Sequence, residues 1–514
     1  MRAPLIALLI PVIACAERIN HEGRILGPPP VVSTPTLFNT PEADAILSAM
    51  QIFPVDNAWN EDVSQLPVAA NSDAMITQIK ADLAAKGSGR QNLRLFTEMN
   101  FALVPDSQPT QSIKFFNWPD QSDLDGGVSP NGLYPIPSNL PVETWPVGTG
   151  SLTLSQWQQD VNNTGGDRHT IIVKPGAGFI WETWSTKLVS GTAWQASNGA
   201  KFNLSSNALR PAGWTSGDAG GLAMFPALVR YDECQRGMVE HAMRIVVAHS
   251  RLGPVYPASH DASVPATNDP NTPAMGQRVR LKSSFVIPAN YTTQEKAVLL
   301  ALKKYGAIVA DNGGFFSISI TPDDRWGSSL DHILNSVAIT NFEIVQSTGA
   351  TGGPRSPGAP TSSAGVDQWI PFGATAQLNG NITNSSPVTI QWKLYSGPAA
   401  MNFGNAAQAA TTATFPVPGA YTLMLSAADG IHAVAHDAVT INVTLTPAQT
   451  RSGNDMQIIF PSSSGHHYRV ERSSNLISWI TLLDNISGTG SNITVTHTGA
   501  FSNAQQFYRV VMLD

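Results

Sequence analysis

The chain has 514 residues, enough for about three domains of ordinary size, and 42% of them are hydrophobic, which is ample for packed cores. Only 13% are charged, and the net charge of −7 comes without any basic run. This balance excludes the electrostatic footprint of a nucleic-acid binder or of a polybasic membrane-surface protein. With 42 glycines and 37 prolines, the composition favours short strands and turns. The sequence therefore predicts a mainly β fold with a few helices.

The N-terminus has the features of an export signal. Met1 and Arg2 precede an apolar run that ends at Ala14 and is too short to span a bilayer as a mature helix. The A-x-A pattern around Cys15 is a cleavage site, and the residues before it also resemble a bacterial lipobox in which Cys15 would be acylated. We therefore predict a signal peptide over 1–16 and either a secreted protein or an outer-surface lipoprotein, with no transmembrane segment.

The two cysteines exclude a disulfide framework. Because Cys15 is either removed or acylated, Cys234 has no intramolecular partner, and a cysteine-based zinc site is excluded as well. We predict that Cys234 is a small buried apolar residue; a nucleophilic role would need a histidine close in space.

The first elements along the chain are a leader and two helices. Residues 17–37 are rich in proline and predict an extended leader. Thr40 is a suitable cap, with proline in the first position, for a helix over 41–50. Apolar residues at helical spacing predict a second helix over 72–86, which a glycine ends.

A third helix is predicted over 293–305 after a long stretch of short strands. Thr292 and Glu295 have the spacing of a capping box, and Gly306 ends the helix. The residues that follow alternate around an Asp-Asn-Gly-Gly turn, which predicts a β-hairpin. The hairpin consists of strands at 307–310 and 315–320 and a turn at 311–314.

The last third of the chain predicts separate modules. A segment rich in Pro, Gly and Ser has the composition of a flexible tether, and strong period-two alternation follows it. Val388, Ile390, Trp392 and Leu394 share one face of a strand, and the run from Tyr421 to Ala427 repeats the pattern. The predicted organisation is a module over 38–347, a linker over 347–365, a β-sandwich over 366–446 and a small β-module over 452–514.

Three parts of the sequence resemble known families. Residues 419–430, GAYTLMLSAADG, together with Trp392, resemble PKD-like domains of the immunoglobulin type, which implies a β-sandwich fold. The C-terminal module is similar to small β-modules that end many secreted bacterial proteins. Most of 50–347 resembles an uncharacterised family of secreted bacterial proteins, a resemblance that implies one structural unit and carries no activity. Its matching segments are 206–222, 230–233, 241–244 and 309–313.

Carboxylates in this module are the first candidates for catalysis. No G-x-S-x-G, H-E-x-x-H or Walker motif is present. Glycoside cleavage needs two carboxyl groups, one protonated and one ionised. We predict Glu182, in a strand of alternating aromatics, and Asp218, among glycines that would let a ligand approach the backbone, as this pair. His169, oriented by Asp167, is predicted to assist.

Aromatic and histidine side chains are predicted to bind the sugar around these carboxylates. Indole faces stack on sugar rings, and Trp184 should point to the same side of its strand as Glu182. The predicted substrate-binding residues are Trp181, Trp184, Trp214, His241 and His260.

Purely structural roles compete with each of these assignments. Glu182, Asp218 and His169 can equally be a surface acid, a turn aspartate and a capping residue, and His241 on an apolar face can be a core histidine. Convergence of His169, His241 and His260 would instead create a metal site.

One loop resembles half of a calcium site. Asp123 and Asp125 stand at alternate positions before a glycine, but Gly132 occupies the position of the bidentate glutamate. An EF-hand is therefore excluded, and a looser calcium site remains an alternative. No other cofactor is predicted.

Together these features predict a secreted glycoside hydrolase that acts on an extracellular polysaccharide by carboxylate acid/base catalysis. A non-catalytic glycan-binding or adhesion protein is the first alternative, and a metal-dependent hydrolase that uses the histidines is the second. The sequence predicts no nucleic-acid partner and leaves the oligomeric state open.

Overall fold

The computed structural model describes residues 17–87, 90–262, 267–346, 358–502 and 505–513, without the side chains of 334 and 335. The predicted signal peptide, the lipidation at Cys15 and the part of the predicted linker at 347–357 lie outside the described residues. The chain is mainly β and divides into two compact units. The first unit contains the described residues from Asn20 to 346, and the second contains those from Gly358 onward together with 17–19.

The first unit contains three sheets and six described helices. Its strands are β1 (Thr36–Leu37), β2 (Arg94–Thr97), β3 (Ala102–Leu103), β4 (Gln111–Phe115), β5 (Asn131–Tyr134), β6 (Thr170–Lys174), β7 (Phe179–Trp184), β8 (Lys187–Ser190), β9 (Ala193–Ala196), β10 (Asn198–Asn203), β11 (Met243–Val247), β12 (Arg278–Leu281), β13 (Ala307–Asn312), β14 (Ser317–Ile320) and β15 (Phe342–Ile344). Its helices are α1 (Pro41–Ser48), α2 (Ser72–Lys86), α3 (Leu154–Gln159), α4 (Tyr231–Arg236), α5 (Thr293–Lys304) and α6 (Ile333–Ser336). The sheet orders are β1-β3-β6-β7-β10, β15-β12-β13-β11-β14-β2 and β5-β4-β9-β8.

The three helices predicted from capping signals are present. The Thr40 side chain accepts the N–H of Ala43 at the start of α1, and both bonds of the capping box between Thr292 and Glu295 form at the start of α5. Gly306 follows α5 with a φ of +64°, where a side chain would be strained. Local hydrogen bonding of short polar side chains therefore sets these helix starts, as expected from the sequence.

The five-stranded and six-stranded sheets share one apolar core. Leu103, Ile171 and Ile180 of the five-stranded sheet belong to the same cluster of buried residues as Ile245 and Val309 of the six-stranded sheet. A second cluster lies on the other face of the five-stranded sheet and includes Trp181 and Trp194. The two faces of β7 are therefore buried in different cores, because successive side chains of a strand alternate.

The predicted hairpin at 307–320 is wrong. β13 and β14 are not neighbours, since β11 lies between them, parallel to β13 and antiparallel to β14. The predicted turn instead passes the end of β11, where the Gly313 N–H donates to the Val247 carbonyl at 2.8 Å. The continuous apolar run of β11 favours a central, fully buried position, and this burial overrides the local turn preference.

The predicted extended leader is also wrong, because it packs on the first unit. The Arg24 guanidinium pairs with the Glu240 carboxylate at 2.9 Å, and Leu26 and Val32 are buried. The leader ends in β1, the edge strand of the five-stranded sheet. Burying these apolar side chains offsets the entropy of ordering a proline-rich segment.

The second unit is built from five small sheets. Its strands are β16 (Thr361–Ser363), β17 (Gln368–Pro371), β18 (Ala376–Asn379), β19 (Asn381–Thr383), β20 (Thr389–Ser396), β21 (Asn402–Phe403), β22 (Ala410–Thr414), β23 (Gly419–Ala428), β24 (Ala435–Thr444), β25 (Ala448–Ser452), β26 (Asp455–Pro461), β27 (His467–Ser473), β28 (Ile480–Ser487), β29 (Asn492–His497) and β30 (Phe507–Met512). The orders are β16-β19, β17-β24-β23-β20, β18-β22-β21, β25-β26-β29 and β28-β27-β30.

The alternation predicted for the sandwich is observed. Trp392, Tyr421, Leu423 and Leu425 are buried in one core, and Ile390 and Leu394 pack against it. Part of the predicted linker is ordered, because β16 pairs with β19. Cys234, in α4 of the first unit, is buried as predicted, and burial raises the pKa of its thiol well above the usual value.

Candidate functional site

One face of the six-stranded sheet carries polar side chains where the opposite face is apolar. On β11, Met243, Ile245 and Val247 are fully buried in the apolar core, and Arg244 and Val246 point to the other side. The register places Ser319 beside Arg244, and Phe96 beside Ser319. We call this side the polar face. Its members are Arg94, Phe96 and Glu98 at β2, Arg244 and Val246 of β11, Asp311 of β13 and Ser317 and Ser319 of β14.

Arg244 is the centre of the polar face. Its Nε and Nη2 donate to the two oxygens of Asp218, with an Nε–Oδ2 distance of 2.9 Å. Its Nη1 donates to Ser319 Oγ at 2.7 Å, and Nη2 lies 4.0 Å from Asp311 Oδ2. Both members of the Arg244–Asp218 pair are buried. Burial would lower the pKa of Arg244, but the Asp218 carboxylate raises it, so the guanidinium stays charged.

The glycines around Asp218 serve packing. A Cβ at Gly217 would collide with the Met224 side chain, and Gly221 has a φ of +72° and lies against Ser259 and the Trp214 carbonyl. The turn is fixed further by Ser216 Oγ, which accepts the Asp218 N–H at 3.1 Å. This glycine-rich segment is thus tightly packed, whereas the sequence suggested an open approach for a ligand.

His169 forms a second charged pair next to Asp218. Its Nδ1 lies 2.9 Å from Glu143 Oε2 and its Nε2 lies 3.0 Å from the Gly217 carbonyl. Both partners are acceptors, so both ring nitrogens donate and the ring is an imidazolium. Burial would lower the pKa of His169, but the Glu143 carboxylate raises it to about 10, and His169 in turn lowers the pKa of Glu143.

Glu182 is fully buried beneath this network. Its carboxyl group accepts the N–H groups of Met224 and Phe225 at 2.8–2.9 Å, at the start of a short 3₁₀ helix. Burial raises the pKa of Glu182 to about 7, and the two backbone N–H bonds oppose that rise. Glu182 therefore anchors the chain after Asp218, and a substrate has no path to its fully buried side chain.

Two carboxyl groups of the polar face are partly open to solvent. Glu98 is half-buried and accepts a bond from Ser319 Oγ at 3.0 Å, and the Asp311 side chain is 28% exposed. Burial and the Glu143 carboxylate raise the pKa of Glu98 to about 7. Burial and the Asp218 carboxylate raise the pKa of Asp311 to about 7. These are the groups of the cluster that water and a substrate can reach.

Asp167 and Trp184 lie at the edge of the same cluster. Trp184 Nε1 donates to Asp167 Oδ1 at 3.2 Å, and the Asp167 charge contributes to the raised pKa of His169. The Trp184 ring stacks on Trp118 with centroids 5.5 Å apart and planes 28° apart, and Trp118 is 38% exposed. Asp167 therefore contacts the indole, and His169 is oriented by Glu143.

The remaining predicted binding residues lie elsewhere. His241 is bonded to Glu233 and to the Ala242 carbonyl, in a separate network beside a cavity of about 30 Å³. Trp181 is buried in a core, with its Nε1 bonded to Asp125 at 2.8 Å, so neither of its faces is free for a sugar. Trp214 is half-buried next to Arg210.

His260 lies behind the Asp218 turn. Its Nδ1 lies 2.7 Å from the Ala219 carbonyl, and its backbone N–H donates to the Gly220 carbonyl. His169, His241 and His260 thus each bond to different groups. Within the described ranges, no group of three or more His, Cys, Asp or Glu side chains is placed to hold a metal ion.

The carboxylates of the calcium-like loop are engaged by cations. Asp123 accepts bonds from Arg210 and from the Lys201 backbone, and Asp125 accepts the Lys201 ammonium at 2.5 Å as well as Trp181. Their negative charge is neutralised by protein groups, which fits a structural clasp better than a calcium site.

Sequence reasoning missed five residues of the cluster. Glu98 continues the alternation of Arg94 and Phe96, which was a usable signal for one strand face. No local pattern marks the other four, because their role arises from strand order and register. The missed residues are Glu98, Trp118, Glu143, Arg244 and Ser319.

Comparisons with known proteins identify the start of the second unit. Residues 364–443 match the family of PKD domains. No curated protein matches. The PKD domain of the KIAA 1837 protein is 19% identical over 19% of this chain and 98% of its own, with a TM-score of 0.17. The D00-D0 domain of Intimin is 10% identical over 30% of this chain and all of its own, with a TM-score of 0.16.

A third solved structure is a nucleoside hydrolase-related hypothetical protein from Saccharophagus degradans associated with carbohydrate metabolism. It is 14% identical over 25% of this chain and 35% of its own, with a TM-score of 0.16. Among the helices that the structure describes, none has the length and apolar character to cross a membrane. Residues 364–443 form a PKD-like domain within a multi-domain, mainly β protein.

Proposed function

We propose that the first unit is a secreted glycoside hydrolase that acts on an extracellular polysaccharide, with Glu98 and Asp311 as its two carboxyl groups. The observation that carries the proposal is their joint position. Both lie on the polar face, both are partly exposed, and Ser319 and Arg244 connect them through contacts of 3.0, 2.7 and 4.0 Å. Glycoside cleavage needs one protonated and one ionised carboxyl group on either side of the bond.

The surroundings assign different roles to the two groups. Asp311 lies near the Arg244 guanidinium and accepts the Asn312 N–H at 2.7 Å, and both interactions stabilise its ionised form. Glu98 faces the Glu143 carboxylate, which favours its protonated form. Glu98 is therefore the general acid that protonates the leaving oxygen, and Asp311 is the base or nucleophile.

The buried pairs behind these groups hold them in place. Asp218 fixes the Arg244 guanidinium with two bonds, and the Glu143–His169 pair adds one negative and one positive charge close to Glu98. This layer replaces the predicted pair of Glu182 and Asp218 as the reacting groups, because those two side chains are fully buried. They are positioning residues in this proposal.

Glycan binding without cleavage is a second candidate function. The stacked indoles of Trp118 and Trp184 offer an aromatic surface to a sugar ring, and binding there needs no carboxyl group. The PKD-like domain is compatible with both functions, since a fold alone does not specify activity.

Release of new reducing ends from a panel of polysaccharides tests the proposal. The full chain is compared with Glu98→Gln and Asp311→Asn, which keep side-chain shape and remove the ionisable group. Each should lower turnover by about 10²-fold or more on a polysaccharide that the wild type cleaves. The matched controls are Glu42→Gln and Asp73→Asn, exposed carboxylates at the starts of α1 and α2.

Controls with wild-type turnover and two inactive variants are the expected result. Near-normal turnover in both Glu98→Gln and Asp311→Asn would contradict the assignment. Retention of the wild type on an insoluble glycan, with no new ends from any polysaccharide, would favour the binding function.

A further inference from the structure

We infer that the polysaccharide bound at the polar face is anionic, and that Arg90 with the Phe315 ring binds its carboxylate or sulfate group. This inference rests on the proposed function, because Glu98 marks the position of the sugar whose linkage is cleaved. It adds the substrate class, which nothing in the catalytic pair itself specifies.

An aromatic and cationic shelf continues the polar face away from Glu98. Phe96 lies two residues before Glu98 on the same side of the chain, about 7 Å along it at the usual rise of a strand. The Phe96 and Phe315 rings meet edge to face, with centroids 5.3 Å apart. Both rings are half-buried, so part of each is open to solvent. A sugar unit next to the cleaved linkage would lie over this shelf.

Arg90 supplies the charge of the shelf. Its guanidinium lies over the Phe315 ring at 4.0 Å and donates to the Gly314 carbonyl. Within the parts of the chain that the structure describes, no carboxylate lies within ion-pair distance of Arg90. By contrast, the buried Arg244 is paired with Asp218. A stacked arginine keeps its in-plane N–H donors available for a carboxylate or sulfate, which it can bind with two parallel bonds.

A second positive charge lies on the same side. The Arg94 guanidinium is 6.0 Å from the Phe315 ring, and Arg94 shares the strand face of Phe96 and Glu98. Two arginines at one aromatic ring are notable in a chain whose net charge is −7. Their field favours a negatively charged sugar at this position and offers nothing comparable to a neutral one.

The geometry separates the two demands of the site. The carboxyl groups Glu98 and Asp311 act on the glycosidic oxygen, which any glycan has. The arginines of the shelf act on a substituent that only uronic-acid or sulfated polysaccharides have. Recognition of the anion about 7 Å from Glu98, along the strand, corresponds to the unit beside the cleaved linkage.

Binding of matched oligosaccharides to the full chain tests this inference. The Glu98→Gln chain serves as background, so that substrate is not consumed. Its affinity is measured by calorimetry for an oligogalacturonide, a sulfated galactan oligosaccharide and a neutral galactan oligosaccharide of equal length. We expect one anionic probe to bind at least about 10-fold more tightly than the neutral probe, with an affinity that falls as salt rises.

Arg90→Gln in the same background should weaken binding of that anionic probe by about 10-fold or more, the usual scale of a hydrogen bond to a charged group. Binding of the neutral probe should not change. Arg451→Gln is the matched control, because Arg451 is also an arginine over a phenylalanine ring, at 4.1 Å, but belongs to the second unit. Arg90→Lys keeps the charge without the two-pronged geometry and should give an intermediate affinity.

Equal affinity for neutral and anionic probes, or an unchanged affinity in Arg90→Gln, would overturn the inference. Preference for the oligogalacturonide identifies a uronate, and preference for the sulfated probe identifies a sulfate ester. Arginine-dependent binding of an anionic probe with no cleavage of any polysaccharide would refute the proposed hydrolase and leave the binding site standing. Cleavage of a neutral polysaccharide that depends on Glu98 but not on Arg90 would do the reverse.

Discussion

Replacing one member of the buried pair Asp218–Arg244 should destabilise the first unit strongly. The pair has two charge-assisted hydrogen bonds, and the side chains are 0% and 4% exposed. Asp218→Asn or Arg244→Met leaves the other charge buried without its partner, which costs about 3–5 kcal/mol. The double variant removes both charges, so its cost should be clearly smaller than the sum of the two single costs.

A double-mutant cycle measured by hydrogen exchange suits this multi-domain chain. Exchange of amides in peptides that cover β11 and β13 reports the opening free energy of the first unit alone, separate from the sandwich domains. We expect a coupling energy of about 2 kcal/mol or more. Arg469→Met, which removes one partner of an exposed ion pair with Asp484 in the second unit, should leave stability unchanged. Single variants that each cost less than about 1 kcal/mol would refute the reasoning.

Three further predictions concern other parts of the first unit. Because burial raises the pKa of Glu182 from 4.5 to about 7, the folded state favours the protonated form, so stability should fall as the pH rises from 4.5 to 7; Glu182→Gln should reduce that fall by about 3 kcal/mol in pH-dependent hydrogen exchange. Trp184→Ala removes the partner of Trp118 and should weaken polysaccharide binding about 10-fold at unchanged kcat, measured by initial rates over a range of substrate concentrations. Gly199→Ala places a Cβ 2.5 Å from the Phe115 ring and should lower the free energy of unfolding by about 1–3 kcal/mol, visible as a lower melting temperature.

Local signals in the sequence predicted the elements that local interactions determine. Thr40 and the pair Thr292–Glu295 marked helix starts because each bond joins residues three positions apart. The alternation around Trp392 and Tyr421 identified a buried strand face, because side chains of a strand repeat every two residues. These features need no knowledge of the tertiary structure.

The candidate site could be predicted only in part, because its residues meet through strand order. Glu182, Asp218 and His169 were placed in one cluster by the sequence, and the structure brings them together, but in a buried layer. Asp311 belongs to a strong turn sequence, and its place in β13 depends on pairing with β11, far away in the chain. Glu98 lies three strands from β13 in the sheet, which only the tertiary structure determines.

The pH dependence of kcat/KM on a cleaved polysaccharide tests the central claim most directly. The acid must be protonated and the base ionised, and both pKa values lie near 7, so activity should form a narrow bell with its maximum close to neutral pH. Glu98→Gln should lose turnover by about 10²-fold and also lose the fall of the profile on the alkaline side, which reports the acid. A wild-type profile that stays flat between about pH 5 and 9, or a Glu98→Gln profile with both limbs of the bell intact, would contradict the assignment of Glu98 and Asp311.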